Sequence, residues 1–153
     1  MMNLPNRKRN RLPDYNYNQE GAYFVTVCVK ERKRLLSVIS GENAEVILRP
    51  YGRIIEKYIR NVPEIEKYVI MPDHVHMIIR LGEEADQKRE KTNNKVSGIV
   101  RSIKILTTKE IGESIFQRSY YDHVIRDQQD YNERWEYIED NPRRWAEKKE
   151  GGK

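Results

Sequence analysis

Apolar residues occupy every second position over Tyr23, Val25, Val27 and Val29, which predicts a first strand with one face turned to a core. Gly41-Glu42 marks a turn, and Ala44 to Leu48 forms a short second strand. The period then lengthens. Tyr51, Ile54, Ile55, Tyr58 and Ile59 fit one face of a helix. Tyr68 to Met71 and His74 to Leu81 are two apolar runs about Pro72-Asp73, either a hairpin or one bulged strand. Gly82 to Lys95 is charged and aperiodic, as a surface loop is. Val96, Ile99, Val100, Ile103 and Leu106 restore the helical stripe, which ends near Gly112. Tyr121 to Arg126 is a last strand. Asp127 caps a final helix that carries Tyr131, Trp135 and Ile138 on one face, and Pro142 is expected to end it. The order is β, β, α, β, β, α, β, α. An antiparallel sheet with helices packed on it fits that order better than a doubly wound fold, so the expected class is α+β with a ferredoxin-like core.

The 153 residues suit one compact domain, placed at 21–146, between a basic arm (1–20) and a polar tail (147–153). Lys and Arg outnumber Asp and Glu by 29 to 24, a net charge of +5, which favours anionic partners and nucleic acid before membrane. A lysine-rich soluble surface would give the same balance. The run Asn6 to Arg11 contributes Arg7, Lys8, Arg9 and Arg11, an arm that could lie along phosphates or serve as a solubilising tail. One cysteine, Cys28, cannot form an internal disulfide, which points to a reducing compartment. No apolar stretch reaches the roughly 20 residues of a bilayer span, and the N-terminus has no signal-peptide core. A cytoplasmic, nucleoid-associated protein is expected.

The candidate chemistry begins at His74 and His76. On a strand, residues two apart share a face, with Cα atoms roughly 6.5–7 Å apart, so the two imidazoles can grip one cation. A bare His-x-His is more often a packed or surface pair than a metal site, and imidazole alone does not choose a metal. On the last helix Tyr137 and Asn141 stand four residues apart, one turn above each other, beside the Trp135 and Ile138 stripe. A phenol there can face a substrate and an amide oxygen can be a ligand. With ten tyrosines in the chain, Tyr137 alone is no strong candidate.

Four segments taken in order add to this: Gly21 to Thr26, Met71 to His76, Phe116 to His123 and Tyr137 to Pro142. Together they resemble the REP-associated tyrosine transposases, which belong to the single-tyrosine HUH transposases. The resemblance covers about Gly21 to Trp145. It implies an HUH-endonuclease-type fold, with His74, His76 and Asn141 holding a divalent cation, Mg2+ or Mn2+, and Tyr137 as nucleophile. It further implies attack of Tyr137 on a phosphodiester of single-stranded, hairpin-forming DNA, giving a 5′-phosphotyrosine link and a free 3′-hydroxyl that can later rejoin strands. His123 matches a recurrent position and is expected to support the sheet or contact DNA. Asp73 is either a turn residue or a support for the histidines. DNA contacts are expected from the basic arm and from Arg101, Lys104, Tyr120 and Arg126, with Tyr121 divided between base stacking and core packing. A homodimer stays open, because in this class the tyrosine helix can serve its own subunit or its partner. The competing reading is a domesticated hairpin-binding protein without turnover. A small histidine-metal hydrolase unconnected to nucleic acid fits the charge and the four segments less well.

Overall fold

A computed structural model of the chain describes residues 21–82 and 89–151, with side chains left aside at 89–94 and 149–151. The basic arm, and with it Arg7, Lys8, Arg9 and Arg11, lies outside the described residues. The elements are β1 (Ala22–Cys28), β2 (Ser37–Ser40), β3 (Glu45–Leu48), α1 (Pro50–Arg60), β4 (Ile65–Ile70), β5 (His74–Arg80), α2 (Arg89–Ile111), β6 (Tyr121–Val124) and α3 (Gln128–Gly151). Four strands form one sheet in the order β4-β5-β1-β6, with every neighbouring pair antiparallel. β1 and β4 are thus parallel across β5, joined through α1; β5 and β6 are parallel across β1, joined through α2. Two interleaved βαβ units of this kind are the ferredoxin-like arrangement. The fold is α+β, as the order of the periodic segments implies.

Alternation divides the sheet into two unlike faces. Tyr23, Val25, Val27 and Val29 of the first strand meet Val75, Met77 and Ile79 of β5 on one face, which packs on Ile55 and Ile59 of α1 and Val96, Val100 and Ile103 of α2. The opposite face carries Ala22, Phe24 and Ile78, and α3 covers it with Ile138, flanked by Tyr131, Trp135 and Tyr137. β5 is therefore buried on both sides. Its histidines belong to the α3 face.

Four details depart from the sequence reading. The connection before α1 holds two strands rather than one: β2 pairs with β3 from Ser37–Leu48 to Ser40–Glu45, apart from the main sheet. Ser-Val-Ile-Ser is too short for its alternation to register, and Ala44 is not in the strand but in the turn, at φ 52°. Secondly, β4 begins at Ile65, ahead of the expected Tyr68; of the two arrangements expected about Pro72-Asp73 it is the hairpin that forms, closed by the Met71 amide donating to the His74 carbonyl (2.8 Å). Thirdly, α2 starts at Arg89, inside the expected loop. An established helix extends through polar residues more readily than it nucleates, so the apolar stripe marks only its anchored part. Lastly, α3 runs through Pro142. A proline there removes one hydrogen bond to the Ile138 carbonyl and costs about 3 kcal/mol or more. Ion pairs from Asp140 to Arg143 and Arg144, and from Arg143 to Glu147, bridge the weak point, and Arg34 lies over the Trp145 ring at 5.2 Å, docking the second half of the helix.

Gly52, in the first turn of α1, is buried, and a Cβ at this position would run into the Leu36 carbonyl oxygen. That oxygen also accepts the Arg49 amide (2.9 Å), so it is not free to move. Gly52→Ala is expected to destabilise the fold by roughly 1–3 kcal/mol despite alanine's better helix propensity, read as a lower urea midpoint.

Candidate active site

The site is built where β5 and β1 meet α3. His74 and His76 point to the α3 face, and their Nε2 atoms lie 3.1 Å apart. Each ring is held from behind. His74 Nδ1 is 2.7 Å from Asp73 Oδ1, and Asp73 in turn accepts from Arg32 Nε (3.2 Å) and Nη2 (3.3 Å). His76 Nδ1 is 2.8 Å from Thr26 Oγ1, its cross-strand partner. Phe24 stacks on the His76 ring (centroids 5.1 Å apart, planes at 28°).

α3 brings the remaining groups. The Tyr137 ring lies edge-on to His76 at 5.3 Å and to Phe24 at 5.9 Å. Asn141, one turn on, is buried and interacts with the His74 imidazole. Its Nδ2 faces the Tyr137 carbonyl at 3.4 Å, which leaves Oδ1 for the histidine side. Arg144 sits over the Tyr137 ring at 5.4 Å, and Arg134 sits over Phe24 at 5.3 Å. The helix starts at an N-cap, the Asp130 amide donating to Asp127 Oδ1 (2.8 Å), and is fixed on the sheet by Lys67–Glu139 (2.8 Å) and Tyr131–Glu66 (2.5 Å).

His74, His76, Tyr137 and Asn141 are thus in one cluster. Among the described residues no third His, Cys, Asp or Glu joins the histidines as a metal-holding group, so the third donor on offer is the Asn141 amide. The donor set suits a cation. Two nitrogens 3.1 Å apart match the edge that two imidazoles about 2.1 Å from one ion span when they meet it near a right angle. An amide oxygen beside them is a ligand that hard divalent ions accept. Both imidazoles are also neutral, as ligands must be. Burial, then the neighbouring His74, pushes His76 down to about 3; burial likewise lowers His74, against the pull of Asp73. For Asp73 burial works the other way, and the hydrogen bonds from His74 and Arg32 outweigh it, so the carboxyl is held below its usual range.

Asp73 serves both of its expected roles, since it occupies the hairpin turn and holds His74. His123 Nε2 lies 2.8 Å from Asp130 Oδ2, tying β6 to the first turn of α3 rather than joining the histidine pair. The other expected contact residues are dispersed. Arg101 is exposed on α2, whose layer lies across the sheet from the histidines. Lys104 Nζ donates to the Gln117 and Arg118 carbonyls (2.9 and 3.1 Å), pinning the segment before β6, and burial lowers its pKa. Tyr120 packs against the main core, whereas Tyr121 is 66% exposed. Arg126 is exposed at the turn into α3.

Thr26, Arg32, Phe24 and Arg144 were not singled out by the sequence. Thr26 and Phe24 share a face with the histidines by alternation, but their register against β5 is set by pairing between residues 50 apart. Arg32 reaches Asp73 from a short turn in which Glu31 and Arg32 both take left-handed backbone angles (φ 57° and 53°). Nothing local in Lys-Glu-Arg announces that conformation.

No protein-family model matches the chain. An uncharacterized protein of Haemophilus influenzae (strain ATCC 51907 / DSM 11121 / KW20 / Rd) is 31% identical, over 94% of this chain and 92% of its own length. The REP-associated tyrosine transposase of Escherichia coli (strain K12) is 31% identical, over 82% of this chain and 68% of its own length. Among solved structures, a REP-associated tyrosine transposase bound to a REP hairpin superposes with a TM-score of 0.57 at 26% identity, covering 92% of this chain and 74% of that one. The fold is that of a tyrosine transposase. The chain belongs to the REP-associated tyrosine transposase family.

The depressed histidines fix the sign of an acid effect. As pH falls below about 6.5 the unfolded chain takes up protons that the folded His76 refuses until about pH 3, so stability is full above that window and is lost on acidification. The urea midpoint is expected to fall between pH 7 and pH 4.5, by up to about 1.4 kcal/mol of stability per pH unit for one such group. His76→Gln is expected to flatten that slope. A midpoint independent of pH across the window contradicts the assignment.

Proposed function

We propose that this chain is a divalent-cation-dependent endonuclease and strand transferase for single-stranded, hairpin-forming DNA, with Tyr137 as nucleophile. The observation that carries the reading is the meeting of three groups on the α3 face: the converging Nε2 atoms of His74 and His76, the Asn141 amide, and the Tyr137 ring 5.3 Å from His76. The family relationship and the hairpin-bound neighbour support the substrate class.

His74, His76 and Asn141 would hold the cation. Bound there, Mg2+ or Mn2+ supplies Lewis-acid charge to a phosphodiester oxygen. Tyr137 attacks phosphorus. The bond from its oxygen to phosphorus forms, the bond to the 3′ oxygen breaks, and that oxygen leaves as a 3′-hydroxyl with the proton that the phenol gives up. One phosphodiester replaces another, so the link retains the energy for rejoining and no nucleotide triphosphate is needed. Arg144, over the Tyr137 ring, supplies positive charge where phosphate and phenolate charge gather.

Incubation with end-labelled hairpin DNA carrying single-stranded flanks, with Mn2+, is expected to give a covalent protein–DNA adduct on a denaturing gel. Tyr137→Phe is expected to abolish the adduct while leaving non-covalent binding. Retarded complexes without any adduct, over a set of hairpins, would instead identify a binding protein without turnover.

Phosphate contacts predict salt dependence. The logarithm of the affinity is expected to fall linearly with the logarithm of salt concentration, and Arg126→Ala to reduce that slope by about one. A slope unchanged in the variant would remove Arg126 from the DNA contacts.

A further inference from the structure

The two histidines are held by unlike partners. Behind His74 stands Asp73, a carboxylate and hence an acceptor only, so His74 carries its proton on Nδ1 and turns a lone pair on Nε2 toward its neighbour. Behind His76 stands Thr26, whose hydroxyl can donate or accept. Two patterns are then open: the first pairs every ring nitrogen within the protein, the second does so only when a cation meets the two Nε2 lone pairs. In the first, Thr26 donates to His76 Nδ1, His76 Nε2–H donates across 3.1 Å to His74 Nε2, and His74 Nδ1–H donates to Asp73. In the second, His76 carries its proton on Nδ1 and gives it to the Thr26 oxygen, and both Nε2 lone pairs face the site. Only the second presents two nitrogen ligands. The first is the pattern for the cation-free protein, because two opposed lone pairs at 3.1 Å repel each other.

We propose that Thr26 is the tautomer switch of His76: a positioning residue whose hydroxyl turns from donor to acceptor when the site takes up its cation. The imidazole loses a proton at Nε2 and gains one at Nδ1 by exchange with water, so no net proton is taken up or released. The ring has little freedom to turn over instead. Phe24 stacks on it at 5.1 Å and Tyr137 meets it edge-on at 5.3 Å. Thr26 is also the direct cross-strand partner of His76, so its oxygen is delivered by the backbone register of β1 on β5. One ligand is thus preset and the other convertible. A serine can replace threonine in this role. Valine, with the same shape and no hydroxyl, leaves Nδ1–H without an acceptor in the loaded state.

This inference rests on the cation site proposed above, and the test separates the two. Imidazole nitrogen–proton correlation spectra of the full-length, 15N-labelled chain are recorded in EDTA and in saturating Mg2+, and Mn2+ affinity is measured by calorimetry. In the wild type His76 is expected to carry its proton on Nε2 in EDTA and on Nδ1 in Mg2+, with His74 on Nδ1 throughout. Thr26→Val is expected to weaken Mn2+ binding about 10-fold or more, and Thr26→Ser to restore it, as partners behind a metal ligand generally do. A wild type that binds Mn2+ with His76 in one tautomer throughout overturns the switch and leaves the metal site standing, as does Thr26→Val binding as tightly as wild type. A wild type that binds neither ion overturns both. Should Thr26→Val fail to fold, the wild-type and Thr26→Ser spectra decide alone.

Discussion

β5 has no solvent face, and its alternation is the constraint on which the structure depends. Val75, Met77 and Ile79 close the core against α1 and α2, while His74, His76 and Ile78 face α3. A slip of one residue would drive both imidazoles into the main core and push the aliphatic set into the site. The Pro72-Asp73 hairpin and the full-length pairing with β1 forbid that slip. The same register places Asp73 behind one ring and Thr26 behind the other, so a single pairing choice sets the core, the histidine face and its supports.

The second layer is held by polar contacts as much as by apolar burial. Among the described residues of α3, only Ile138 is a buried member of the smaller core, and the helix surface is largely charged. Lys67–Glu139, Tyr131–Glu66 and His123–Asp130 compensate, each joining the helix to an edge strand of the sheet. Two of these three involve β4 and the third β6, so the helix is fastened to both edge strands and spans the sheet above the histidines.

The sequence made the sheet and the histidine pair legible for the same reason. A two-residue repeat is unambiguous in Tyr23–Val29 and in His74–Ile79, and it assigns faces without any knowledge of partners. The Tyr137 and Asn141 spacing is equally local. What escaped detection is what depends on pairing or on termini. β2 is short enough to have no period, α2 extends beyond its apolar stripe, and Pro142 is tolerated because ion pairs and the Arg34–Trp145 contact hold the helix past it. Thr26 and Arg32 carry no signal of their own, since a threonine in a strand and an arginine in a basic turn are ordinary until the fold aims them. Lys104 shows the converse: a lysine near the end of a helix invites a surface role, yet its ammonium is committed to two carbonyls within the molecule.

Tyr137 and Asn141 lie one turn apart on α3, both ahead of Pro142, and ride on a single rod. The tyrosine and the amide that faces the histidines cannot be withdrawn separately. A rocking of that rod by a few degrees would retract both at once, and its return would restore both in the same stroke. Such mechanical linkage makes readiness a property of one helix as a whole.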